Sequence, residues 1–361
     1  MKRFFLFGLA LSLLVLAWIV PAADACTTFC LHKGSTAVFG KNYDWHFDDG
    51  LVLVNKCGVA KSAAPLPDGK PAQWTSRYGS VTFNQFGREF PNGGMNEAGL
   101  AIELMWLDET LYPKPDQRPA LGALEWIQYQ LDNYATVGEV VKNVGRLRVT
   151  SEGKVHLLAC DKGGSCASVE FLDGKPVVHA GASLPAPALA NHTYEESLRF
   201  LNANRKDGNG QALAGHGSLQ RFARAASRAE AFGSRGDGDP VGYAFATLDD
   251  VAQGDFTQWS IVYDLRAGRV HWRTRQNRTV RSVALSSFDL SCSAPVEVLD
   301  VQIGSGDVTR RFANYTPETN RKLVTSSYKK VQTAVKVRPE ELEATLAQPA
   351  RTTCTLGAPR R

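Results

Sequence analysis

The sequence predicts one α+β domain of stacked layers. Three observations carry that expectation: a β-rich opening third, a change of hydrophobic period from two to three-and-four after residue 119, and a return to strands near residue 258. CTTFCLH at 26–32 and TAVFGKNYDW at 36–45 read as the first two strands, turned at Lys33-Gly34-Ser35. LVLVNKCGVA at 51–60 continues the run. Further strands are expected at 73–83, 88–95 and 99–106, the last two joined through the turn-forming Asn96-Glu97-Ala98-Gly99. Then Leu121, Leu124, Ile127, Leu131 and Tyr134 recur three and four apart behind Pro119, as the apolar face of a helix requires. A second helix starts at once, where Thr136 and Glu139 have capping-box spacing ahead of Val140, Val141, Val144 and Leu147. Strands follow near 154–160, 166–172 and 176–180, helices near 194–203, 218–232 and 240–252, and strands again at 258–265 and 270–275. With no Pro- or Ser-rich linker to divide them, strands on both sides of a helical stretch belong to one domain. RKDGNGQALAGHGSL at 204–218 is polar and Gly-rich and reads as a loop of the kind that borders binding sites.

A composition of 43% apolar and 21% charged residues is that of a globular chain. The formal charge of +5 is too mild to argue for nucleic acid. Much of it sits at the end: residues 310–361 hold eleven Lys and Arg against four Glu, a pattern that reads as a solvated helix or tail before it reads as a polyanion site. No CxxC repeat or spaced His pair suggests a metal, and no motif calls for a cofactor.

The start of the chain points to export. Lys2 and Arg3 precede Phe4 to Val20, which carries no charge, and Ala23-Asp24-Ala25 has the small-x-small form that signal peptidase cuts after. Removal of residues 1–25 leaves no stable membrane anchor and makes Cys26 the first residue of a periplasmic or extracellular protein. Lipidation of Cys26 is the rival outcome, disfavoured by Ala23 and Asp24. Of the seven cysteines, Cys160 and Cys166 are spaced to bridge a hairpin in an oxidising compartment. Cys30 with Cys57 and Cys292 with Cys354 follow only by elimination.

A cysteine at the N-terminus carries a thiol and an α-amine, whose ordinary pKa values of about 8.5 and 7.7–8.0 place both near neutrality. One residue then supplies both attacker and proton acceptor, and no histidine is needed. The remaining requirements are a carboxylate, a cation and an oxyanion hole.

The motifs CTTF at 26–29, GKNYDW at 40–45, GMNEAGLAIELMW at 94–106, ANHTYEESLRFL at 190–201, SLQRFARA at 218–225 and QWSIVYDL at 258–265 stand in an order that resembles the choloylglycine hydrolase and penicillin V acylase family. The resemblance runs from residue 26 to about 295. It implies a four-layer αββα sandwich of the N-terminal nucleophile type and hydrolysis of linear amide C–N bonds. It also implies Cys26 as nucleophile, Asp44 as the carboxylate holding the terminal ammonium, and Arg221 as a cation beside the thiol. Asn191, with the Trp106 N–H, corresponds to the oxyanion donors. Lys41 stands where the family commonly has Arg, keeping the charge and losing the bidentate fork. Trp106 occupies a position that is Asn in members preferring bile salts and aromatic in penicillin acylases. With Trp45 it implies an apolar acyl pocket, although both tryptophans also suit ordinary core packing. The expected domains are a signal peptide over 1–25, a hydrolase domain over 26–315 and a basic C-terminal appendage over 316–361. The expected partner is a small-molecule amide with an apolar acyl group; a homo-oligomer is compatible with the sequence. Two other readings stay open: an acyltransferase on the same fold, and a non-catalytic exported binding protein or lipoprotein with Cys26 lipidated.

Overall fold

Strands covered on both faces show near-continuous burial, and this chain builds two such sheets back to back. The structure, a computed structural model, describes residues 26–66, 69–206, 215–234, 238–331 and 339–355. The expected signal peptide and the middle of the 204–218 loop therefore lie outside the described residues.

The opening strands are β1 (Thr27–Lys33), β2 (Thr36–Asp44), β3 (Leu51–Asn55), β4 (Ser80–Asn84), β5 (Gly93–Asn96) and β6 (Leu100–Trp106). Helices α1 (Ala123–Asn133) and α2 (Val137–Asn143) follow, then β7 (Val155–Asp161), β8 (Cys166–Leu172), β9 (Lys175–Ala180) and β10 (Ala188–Leu189). Next come α3 (Tyr194–Lys206), α4 (Ser218–Ser234) and α5 (Pro240–Asp250). The chain returns through β11 (Thr257–Asp264), β12 (Arg269–Thr274), β13 (Arg281–Ala284), β14 (Glu297–Asp300), β15 (Gly306–Asp307) and β16 (Ala313–Asn314), and adds α6 (Pro317–Val331) and α7 (Pro339–Ala347).

One sheet has the order β10-β1-β2-β11-β12-β13-β15; the other has β9-β8-β7-β6-β5-β4-β3-β14-β16. Phe83 of the second sheet packs its ring against Trp259, Tyr263 and Trp272 of the first. Helices α4 and α5 lie on β1, β2 and β11, with α3 beside α4, while α1 and α2 cover β5 to β8. The result is the αββα sandwich that the resemblance implied. It explains why every residue of β2 except Thr36 is buried: sheet lies on one side and helix on the other.

The β1–β2 hairpin turns through Gly34 and Ser35, with Lys33 paired to Thr36 and Gly34 at φ +55°. The capping box of α2 forms as its spacing requires, Thr136 Oγ1 accepting from the Glu139 N–H at 3.3 Å and Glu139 from the Thr136 N–H at 3.0 Å. Helix α1 starts later than Pro119 suggests. Ala120–Gly122 instead pairs in parallel with Arg148–Thr150, and Glu125 reaches back to the Gly122 N–H at 2.9 Å.

Two disulfides form. Cys160–Cys166 joins directly paired residues of β7 and β8, as their spacing suggested, and Cys292–Cys354 joins the C-terminal segment to the body. The expected Cys30–Cys57 pair does not form. Cys30 faces the core on β1, its sulfur within 4.8 Å of the Cys160–Cys166 sulfurs, whereas Cys57 bridges Ser291 in the neighbourhood of Cys292. Burial pushes the Cys30 thiol up to about 12.

The described residues of the basic segment from 316 are packed on the domain. Leu323, Val324, Ser327 and Val331 of α6 are buried at helical spacing while Lys322 and Lys329 face outward. Thr353–Cys354 adds a strand to Val59–Ser62. Among the described residues no helix is long and apolar enough to cross a membrane.

Candidate active site

Register alone brings the first residue of the expected mature chain to the end of β2. Thr27 pairs with Asn42 and Thr28 with Lys41, so Cys26 falls opposite Tyr43. Alternation then splits β2 by face. Lys41 and Tyr43 point into the space between the sheets, where Tyr43 Oη donates to Gln85 Oε1 at 2.7 Å. Asn42 and Asp44 face α5 and the segment after it: Asn42 Nδ2 donates to the Leu248 carbonyl at 2.8 Å, and Gln253 Nε2 donates to Asp44 Oδ2.

Cys26 is buried, with Sγ 3.9 Å from the Asp44 carbonyl oxygen. Burial pushes its thiol up, the Lys41 charge pulls it down, and the Asp44 charge pushes it up again; the net direction is upward. Asp44 is likewise raised by burial, against the pull of Arg221, Thr257, Gln253 and Lys41. Its Oδ1 is buried and has no hydrogen-bond partner among the described residues. A buried carboxylate oxygen left unpaired is costly, so this atom marks where a cation fits.

Lys41 Nζ donates to the Leu104 carbonyl and lies 3.6 Å from Met105 Sδ and 3.8 Å from Glu103 Oε2. Tyr263 Oη donates to the other oxygen of Glu103. Burial raises the Glu103 carboxyl to about 7, with Lys41 and Tyr263 opposing. Room for that carboxyl depends on Gly93, where any Cβ would overlap it.

Arg221, on α4, joins the remaining pieces. Its Nη1 donates to the Cys26 carbonyl at 2.9 Å and to Thr27 Oγ1, and its Nη2 to Asn191 Oδ1 at 2.8 Å. With Oδ1 engaged, the Asn191 amide turns Nδ2 toward β6, where it donates to the Trp106 carbonyl at 2.8 Å. The loop holding Asn191 is fixed from below: buried His156 contacts the Ala190 carbonyl through Nε2 at 2.8 Å and Glu170 through Nδ1 at 3.1 Å. In the β6–β7 ladder Leu107 N–H bonds the Lys154 carbonyl, so Trp106, opposite Val155, forms a non-hydrogen-bonded pair and turns its N–H away from β7. Asn191 Nδ2 and that N–H are donors at one edge of the site, suited to a developing oxyanion.

A cavity of about 240 Å³ opens on Cys26 and Asp44 and is lined by Trp45, Trp106, Phe86, Phe90, Leu104 and Val155, among others. The rings of Trp45 and Trp106 lie 6.5 Å apart. All seven residues singled out from the sequence, Cys26, Lys41, Asp44, Trp45, Trp106, Asn191 and Arg221, thus gather at one place. Glu103 stands inside the motif at 94–106 but was given no role, and no motif pointed to Gln253 or His156; all three act through partners from distant segments. Gln85 and Asn92, both on Tyr43 Oη, were missed for the same reason.

No family model matches the chain. A curated penicillin V acylase of Pectobacterium atrosepticum is 32% identical over 244 residues, 60% of this chain and 62% of that protein. The match therefore spans less than two thirds of the relative's length. The solved structure of penicillin V acylase from Agrobacterium tumefaciens superimposes with a TM-score of 0.72 at 27% identity, over 81% of this chain and 98% of that one. Two structures of conjugated bile acid hydrolase from Clostridium perfringens reach 0.63 at 18% and 17% identity, over 78% of this chain and 98% of theirs, a likeness of fold. The architecture is that of the N-terminal nucleophile hydrolases. Within that class, the chain is similar to the penicillin V acylases of Pectobacterium atrosepticum and Agrobacterium tumefaciens.

Proposed function

We propose that the protein is an exported hydrolase of linear amides, activated by removal of residues 1–25 and acting through Cys26. The observation that carries this reading is the unpartnered Asp44 Oδ1 beside the nucleophile. In the uncut chain the Cys26 nitrogen is a peptide nitrogen; cleavage makes it an α-amine, which becomes a cation beside Asp44 when it takes up a proton.

In the proposed cycle Sγ attacks the amide carbonyl and its proton passes to the α-amine. Asn191 Nδ2 and the Trp106 N–H hold the oxyanion, Nδ2 leaving the Trp106 carbonyl to do so. The leaving nitrogen takes the proton from the α-ammonium as the C–N bond breaks. Water then attacks the thioester, its proton passing through the α-amine to Sγ, and the acid departs. Lys41 favours the thiolate. Arg221 orients the Asn191 amide and neutralises charge near the Cys26 carbonyl.

Candidate substrates are penicillin V-like amides, N-acyl homoserine lactones and other N-acyl amines with apolar acyl groups, with bile salts ranking lower. The test is Cys26→Ala in a protein expressed with its full leader. The variant keeps its folding transition and loses at least about a thousandfold in amide hydrolysis. Undiminished turnover contradicts the proposal.

A further inference from the structure

We infer that α6 and α7, which lie beyond the sequence resemblance, form the wall that decides which acyl groups the Cys26 cavity accepts, selecting slender, uncharged ones. This rests on the amide-hydrolase reading and adds the substrate class to it.

Four side chains of these helices line the cavity that opens on Cys26: Tyr328 and Val331 from α6, Glu341 and Thr345 from α7. The wall is built into the domain. Tyr328 Oη and Thr345 Oγ1 lie 2.6 Å apart, tying the helices together, and the Tyr328 ring meets Phe86 edge-on at 6.4 Å. Helix α6 is seated against residues 87 and 88. A Cβ on Gly87 would overlap Val324, and the Arg88 N–H donates to Asn320 Oδ1 at 2.8 Å. Asp49 accepts from Ser326 and from Lys330 on the same helix. Beyond α7, Cys354 is bonded to Cys292. A chain tip that meets this wall meets packed helix.

The chemistry of the lining fixes the class of ligand. Phe86, Phe90, Leu104, Leu124 and Val331 offer apolar surface along the cavity, so each methylene that seats there raises kcat/KM by roughly fourfold. Glu341 on the same wall disfavours an acyl group ending in a carboxylate. At about 240 Å³ the space is smaller than the roughly 300–1,000 Å³ of sites for drug-sized ligands, which suits an alkyl or single-ring acyl group better than a fused-ring one.

The experiment uses one amine leaving group and an N-acyl series from butanoyl to dodecanoyl, with kcat/KM measured for the protein beginning at Cys26 and for its Val331→Phe and Tyr328→Ala variants. Val331→Phe, which narrows the space, lowers the ratio of long-chain to butanoyl kcat/KM by roughly fourfold to sixteenfold, the cost of one to two displaced methylenes. Tyr328→Ala, which enlarges it, moves the optimum to longer chains. The opposite directions separate a fitted wall from general damage, and thermal unfolding verifies that each variant is folded. If both folded variants change every substrate by the same factor, or leave the profile in place, the inference is overturned and the hydrolase reading stands. If the protein beginning at Cys26 hydrolyses no amide of the series and no penicillin V, that reading fails and this inference falls with it.

Discussion

Two lysines, Lys41 and Lys61, are both buried and sit in clusters of opposite construction. Lys61 Nζ lies 2.8 Å from Glu89 and 3.0 Å from Asp132, and Arg88 adds a second cation 3.1 Å from Glu89. Trp74 and Gln128 donate to the Asp132 carboxyl at 2.7 and 2.8 Å. Two cations face two carboxylates: Glu89 is held below its usual range despite its burial, while burial pushes Asp132 up against the pull of Lys61. Lys41 has one carboxylate, 3.8 Å away and raised to about 7, and shares its space with a thiol. Beyond that thiol stands Asp44 with an unsatisfied oxygen. A closed cluster holds three segments together; the cluster around Lys41 has a place for one more charge. Burial of charge is common to both, and what separates them is how many opposite charges stand within ion-pair distance: two carboxylates at 2.8 and 3.0 Å from Lys61, one at 3.8 Å from Lys41.

Three variants press on that contrast. The largest effect is expected from Lys61→Met, which leaves Asp132 without its cation and Glu89 with Arg88 alone, and costs about 3–5 kcal/mol of stability in denaturant titration. Turnover per folded molecule should change little. A stable variant with collapsed turnover would break the comparison.

Glu103→Gln acts on stability through pH. The Glu103 carboxyl titrates at about 7 in the folded protein against 4.5 for the ordinary group. The stability that its protonated form contributes is complete below pH 4.5 and is lost as pH rises to about 7. The variant should therefore show a flatter stability curve across that window, by roughly 1–3 kcal/mol. An unchanged slope would mean that Glu103 stays ionised beside Lys41.

Lys41→Met is the smallest of the three and reports on the thiol. Lys41 is the strongest influence lowering the Cys26 pKa, so its removal moves the acid limb of the kcat/KM profile to higher pH. At a fixed pH on that limb the rate falls by about tenfold for every pH unit the limb travels. A limb that stays in place would detach Lys41 from the nucleophile.

Much of this site was legible because it rests on local periodicity. The β1–β2 hairpin follows from two alternating runs and a Gly-containing turn, and its register alone sets Cys26 beside Lys41 and Asp44. The Cys160–Cys166 bridge was readable for the same reason, since six residues span a tight hairpin. Of the two pairings reached by elimination, Cys292–Cys354 forms and Cys30–Cys57 does not. Elimination left Cys30 with Cys57, yet Cys30 belongs to the core and Cys57 to the edge near Cys292, a choice made by sheet packing. Glu103 reads as one polar residue in an apolar strand until the opposing sheet supplies Lys41 and Tyr263. In α6 the basic residues dominated the sequence pattern and suggested a solvated appendage. The signal for its packed face was the spacing of Leu323, Val324, Ser327 and Val331, which carries less weight by eye than the lysines and arginines nearby.

The proposed catalysis requires a chain whose first residue is Cys26 with both its nitrogen and its sulfur free. The direct measurement is mass spectrometry of the active protein recovered from its native host, with the N-terminal peptide sequenced before and after iodoacetamide. The predicted peptide begins at Cys26, has an unblocked α-amine and gains one carbamidomethyl group on that residue as activity disappears. An active protein whose peptide extends upstream of Cys26, or whose Cys26 is acylated or bridged, would contradict this mechanism.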